Sequence, residues 1–127
     1  MLREISNSHK VMINDGIYAG NGNVNLDFAG KILTVASVNG AATTIVDCQQ
    51  TENTRGFFFH SGETSFSVLD GLTIRNGLSL TEEDNGRGGG IYCRDASPTI
   101  TNCIITDNRG DIGGGIHCYE ASPIITN

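Results

Sequence analysis

Four cysteines (Cys48, Cys93, Cys103, Cys118), three histidines (His9, His60, His117), a triple glycine at Gly88–Gly90 and an acidic run at Glu82–Asp84 are the residues here whose types suggest chemistry. Four cysteines could form two disulfides or hold a metal. No two make a CxxC pair, and the histidines do not fall at zinc-finger spacing, so no metal centre is expected. The glycines would cradle a phosphate only if a helix followed. Here a strand-like "IYC" follows, and they read as a turn. The run Thr81, Glu82, Glu83, Asp84, Asn85 offers oxygen ligands of the kind calcium takes. It lacks both EF-hand spacing and the GGxGxDxUx nonapeptide, and reads as a solvated acidic loop. No cofactor is expected.

These residues must be positioned by a chain of 127 residues, one domain's worth, with 17 glycines, two prolines and no tryptophan. A net charge of −6 argues against sequence-independent binding to nucleic-acid phosphates. No apolar run reaches the length of a membrane-spanning helix, and "MLREISNSHK" has no apolar signal-peptide core.

The organising feature is a repeat. A shift of 25 residues aligns Gly88–Asn102 with Gly113–Asn127, with 11 of 15 positions identical. A fixed period of this size signals a stacked repeat architecture. Between the punctuating residues lie short runs of Ile, Thr, Tyr and Cys, which are strand formers. Each coil therefore takes three strands. Ile91 and Cys93 point inward on the first, Ile100 on the second, and Cys103 and Ile105 on the third.

Only Asn102 separates the second and third strands, and a one-residue bend requires a positive φ. Aligning "TIVDCQ", "VLDGLTIRN" and "TITNCIITD" puts Asp47, Gly71 and Asn102 at that bend, with Asn127 following and Asn25 less securely placed. All belong to residue types that tolerate the left-handed region. The same alignment stacks Ile45, Leu69 and Ile100 in one inward column, and Cys48, Leu72 and Cys103 in another. The first strand's inward pairs are Leu33/Val35, Phe57/Phe59, Ile91/Cys93 and Ile116/Cys118. The fold class expected is all-β, a parallel β-solenoid of about four to five coils of roughly 25 residues.

"GGGIYC", "SPTITNCIITDN" and "GGGI" followed by "ITDN" resemble the coils of the right-handed parallel β-helix proteins of the pectate-lyase-like superfamily, especially bacterial surface proteins, and the repeats of chlamydial polymorphic membrane proteins. Ile105 stands where the latter have phenylalanine. The resemblance covers about residues 11–127 and implies the fold; that fold hosts lyases, hydrolases, epimerases, adhesins and passive stalks. It also implies terminal caps. Residues 1–10, with Leu2 and Ile5, read as a cap remnant or a disordered lead, and 11–127 as the β-helix domain. The chain is thus expected to be a piece of a longer exported protein, located outside the cell or on its surface. An uncapped last coil would allow end-to-end self-association.

Cys93 and Cys118 share one inward column. Rungs roughly 4.8 Å apart lie within disulfide reach, but in-register side chains suit the S–S torsion poorly. A ladder of buried free thiols is the plainer reading. Outward on the first strand run Thr34, Phe58, Tyr92 and His117, and beside them Ala36, His60, Arg94 and Tyr119. Phe58, His60, Tyr92, Arg94, His117 and Tyr119 form a candidate glycan face, with rings to stack on sugars and polar groups to bond them. The alternative is cross-strand packing on an ordinary β surface, or cover from the Leu78–Arg87 insertion. Neither outward column carries a carboxylate; Asp95 and Glu120 stack at the next turn, and Asp107 and Asp111 lie further on. The expected function is a non-catalytic scaffold or interaction module, with a polysaccharide or cell-surface partner. The alternative is part of a polysaccharide-active enzyme whose site lies on this face.

Overall fold

Short apolar and β-branched runs, each cut off by glycine, asparagine or a tight turn, are too short to form a helix and alternate with period two. In the computed structural model, which describes residues 9–80 and 86–127, they become fourteen short strands and no helix. The first coil contributes β1 (His9–Ile13) and β2 (Gly16–Tyr18). The second holds β3 (Leu33–Ser37), β4 (Thr44–Asp47) and β5 (Phe57–Phe59). In the third are β6 (Val68–Asp70), β7 (Thr73–Arg75), β8 (Leu78–Ser79) and β9 (Ile91–Arg94). The fourth has β10 (Thr99–Thr101), β11 (Ile104–Thr106), β12 (Arg109–Gly110) and β13 (Ile116–Tyr119), followed by β14 (Ile124–Thr126).

Strands of successive coils pair in parallel and build three faces. The first face is β5-β9-β13, extended by a bridge from Leu26 to Phe57; the second is β1-β3-β6-β10-β14; the third is β2-β4-β7-β11; β8 and β12 form a further short parallel pair. The result is a parallel β-solenoid of about four turns. β1 begins at His9, two residues before the sequence reading opened the solenoid; Leu2 and Ile5 lie outside the described residues.

The core runs down the axis. Leu69 and Ile100 stack from the second face, and Leu72 and Ile74 come from the third; Phe57, Phe59, Ile91 and Cys93 come from the first, all essentially without solvent contact. Phe28, Phe57 and Phe59 form an aromatic cluster near the first coils, with Phe28 and Phe59 ring centres 4.9 Å apart. Each fully buried side chain of this size stabilises the fold by ~1.5–3 kcal/mol through removal from water. A ladder of stacked rungs adds these contributions coil by coil.

The bend is where the sequence placed it in the later coils. Gly71, Asn102 and Asn127 have φ of 78, 56 and 53°, and Asn102 Nδ2 donates to Asp70 Oδ1 one rung back (3.0 Å). Asp47 is a correction: it ends β4, in register with Arg75, and has no positive φ. Its carboxylate takes hydrogen bonds from Gln49 N, Asn76 Nδ2 and Arg75 Nε at 2.8–3.1 Å. In that coil the passage from second to third face is the longer stretch 38–43, turning at Gly40 (φ 95°). Asn25 does have a positive φ (51°), but it precedes the first face, where its side chain accepts from Arg55 N (2.9 Å).

Three column assignments shift with it. Leu33 and Val35 belong to the second face, where Val35 stacks on Leu69. Leu26 and Phe28 take the first-face place expected of Leu33 and Val35, and Thr34 and Ala36 leave the candidate face. Ile45 is level with Thr73 rather than Leu69, and Cys48 lies beyond the strand, its amide donating to Arg75 O (2.9 Å). Thr44, one residue before Ile45, is therefore the rung below Leu72.

The triple glycine is a crossing point. Gly88 and Gly113 have φ of 62 and 66°, and a Cβ on Gly89 or Gly90 would strike the carbonyls of Arg109, Gly114 and Gly115. Their amides donate to Ile112, Gly113 and Gly115 carbonyls at 2.9–3.2 Å. No donor is left to hold a phosphate, so the turn reading stands.

Candidate functional site

The register brings the expected columns together. Phe58 pairs with Tyr92, Tyr92 with His117, and Arg94 with Tyr119. Phe58 and Tyr92 stack with ring centres 5.0 Å apart and planes 8° from parallel. His117 closes the other side of Tyr92, tilted, at 5.5 Å. His60 stacks on Phe58 at 4.0 Å. Parallel in-register strands at rung spacing make this contact almost unavoidable, since equivalent side chains lie about 4.8 Å apart.

What the sequence did not reveal is the arginine cover. Arg55, just before β5, is 8% exposed. Its guanidinium lies 5.2 Å from both the Phe58 and Tyr92 ring centres. It donates to Gly88 O (3.0 Å), Ser79 Oγ (2.8 Å) and Arg87 O (2.6 Å). Arg94 sits over Phe58 at 5.2 Å and Arg87 over Tyr119 at 4.8 Å. Arg87 Nη1 also reaches Tyr92 Oη (3.4 Å). Guanidinium groups over ring faces are held by the ring quadrupole. Tyr92, expected as a platform for a ligand, is 1% exposed. Both its faces are taken.

His60 has its own partner. Its Nε2 lies 2.9 Å from Asp27 Oδ2, both partly exposed. Asp27 was missed because Leu26–Phe28 was not recognised as a rung of this face. His117 is held below its ordinary 6.5, first by burial and then by the nearby Arg87 charge.

The carboxylates stand apart. Asp95 and Glu120 are exposed at equivalent corners, with φ of 52 and 48°. They line a groove of about 520 Å³ with Glu63, Ser97 and Ser122. Glu63 is buried and accepts from Gly30 N (2.7 Å) and Ser61 N (2.9 Å), so it braces two turns. Among the described residues no three His, Cys, Asp or Glu side chains gather as a metal site. The run Thr81–Asn85 lies outside the described residues.

The thiols are free. Cys93 and Cys118 are in register. Burial, reinforced by Cys118, pushes Cys93 up to about 12. Burial and the Asp47 charge push Cys48 up to about 11. Thiols so far from ionisation are poor nucleophiles and poor metal ligands. Cys48 and Cys103 do not share a column.

Fold and site together define a class, the parallel β-solenoids, with an aromatic ladder on one face. No family model, curated protein or solved structure matches the sequence.

Proposed function

We propose that this chain is a non-catalytic β-helix scaffold and interaction module, displayed at a cell surface or secreted, in the manner of bacterial surface proteins of the pectate-lyase-like superfamily. The observation that carries this reading is how the ring column spends its groups. Tyr92 is enclosed by Phe58, His117 and Arg55, and Arg55 is consumed by three hydrogen bonds within the chain. Side chains placed for turnover of a glycan need open ring faces and carboxylates converging on the bond to be cut; here Asp95 and Glu120 sit at a corner of the coil. The members left facing solvent are Tyr119, which is exposed, and the partly exposed Phe58, His60, Arg94 and His117. That rim suits recognition of a polysaccharide or another surface ligand.

One observation favours the second reading, a polysaccharide-active enzyme: the His60–Asp27 pair at 2.9 Å has the geometry of a base and its orienting carboxylate. Incubation with polygalacturonate, with and without calcium, separates the two. The scaffold reading expects no unsaturated and no new reducing ends, and any binding to weaken in Arg94→Ala and Tyr119→Ala. Release of either product would overturn it.

A further inference from the structure

The turn Thr64–Ser67 is firmly tied yet presents a phenylalanine to water. Ser67 N donates to Thr64 O (2.9 Å) and Phe66 N to Thr64 Oγ1 (3.3 Å). Ser67 Oγ donates to Lys31 O, and Thr99 Oγ1 to Ser65 O, both at 2.8 Å. Phe66 is nevertheless 71% exposed, more than any other large apolar side chain described. Leaving such a ring outside forfeits the gain of removing it from water, which a ligand would recover.

Phe66 walls a groove of about 580 Å³ on the outward side of the second face, within the size range of small-molecule sites. Ile32 and Val68 supply apolar floor. The register sets Lys10 level with Thr34, and Thr34 level with Val68, so the ammonium-bearing chain stands at one end of the groove. Among the described residues, no carboxylate lines it. The chain carries a net charge of −6 and only two lysines, Lys10 and Lys31. Lys10 lines the groove; Lys31 adjoins Ile32, and its carbonyl anchors the Phe66 turn. Lys10 is thus the one charged side chain among the described residues that line this partly apolar cleft.

We propose that this groove binds a small amphiphilic organic anion: a flat apolar body against Phe66 and Val68, and a single carboxylate against Lys10. A polyanion would meet the repulsion of the whole chain and leave the apolar floor unused; a neutral apolar molecule would bring nothing to match the cation. The groove lies on a different face from the ring column, so this proposal is independent of the scaffold reading.

The test is a titration of the ¹⁵N-labelled chain with 1-naphthoate, followed by amide shifts. Saturable shifts at Lys10, Thr34, Phe66 and Val68 are expected. Lys10→Glu and Phe66→Ser should each weaken binding by about tenfold or more, and the neutral 1-naphthalenemethanol should bind the native chain less tightly by a similar factor. Both side chains are exposed, so circular dichroism should match the native chain; Lys10→Gln serves if Lys10→Glu does not fold. The proposal is overturned by absence of saturation, by shifts confined to Ile116–Asn127, or by unchanged affinity in the Lys10 variant.

Discussion

Phe58 and Tyr92 stack across adjacent rungs of the first face at 5.0 Å, their planes 8° from parallel. This contact repeats the fold's own spacing, and it consumes the ring faces a ligand would need. His60 extends the ladder on one side, His117 on the other, and Arg55 closes it over the top. The first-face column is therefore part of what holds the coils in register.

The bend at Asn102 gives a direct test of backbone geometry. Its φ of 56° and its hydrogen bond to Asp70 are both lost or strained in Asn102→Ala, which should cost about 1–2 kcal/mol. Asn102→Gly keeps the conformational freedom and should recover part of that loss. Urea unfolding midpoints of the three proteins check the order native, glycine, alanine.

Thr44 occupies the core position beneath Leu72, fully buried, and its Oγ1 has no hydrogen-bond partner among the described residues. A buried hydroxyl without a partner costs about 1–3 kcal/mol. Thr44→Val fills the same space without that penalty and should raise stability by about 1 kcal/mol. A higher urea midpoint with an unchanged slope is the expected readout.

Alkylation with iodoacetamide under native conditions should distinguish the thiols by position. Cys118 is exposed, whereas Cys48 and Cys93 are buried and pushed up to about 11 and about 12. Peptide mass spectrometry at mildly alkaline pH should find Cys118 modified first. Cys48 and Cys93 should resist until urea is added.

His117 supplies the pH dependence. Its folded-state value is depressed below its ordinary 6.5, by burial first and the Arg87 charge second. The unfolded chain therefore takes up the proton more readily than the folded one. This contribution to stability is complete above about 6.5 and declines as pH falls from there through the folded value. An NMR titration should place the His117 midpoint below that of a model histidine, and Arg87→Leu should raise it.

Much of this was legible because two copies of one coil lie side by side in the sequence. Gly88–Asn102 against Gly113–Asn127 correctly fixed β9 over β13, and with them Tyr92 beneath His117 and Arg94 beneath Tyr119. Leu33 and Asp47 were misplaced for a physical reason. A short strand alternates in the same way on every face, so nothing local marks which face it joins, and the stretch 20–30 offers only a single bridge at Leu26 to signal the missing rung. Tyr92 shows a second limit. Period two says that a side chain points away from the core, not that it meets solvent. Its cover comes from Arg55 and Arg87, in turns with no periodicity to read.

The most direct measurement is the unfolding free energy of Tyr92→Ala, taken with polygalacturonate binding by the same variant. A structural ladder predicts a loss of about 3–5 kcal/mol, from emptying the space between Phe58 and His117. The account would be contradicted by an unfolding midpoint identical to the native protein's together with abolished glycan binding, which would make Tyr92 a ligand platform.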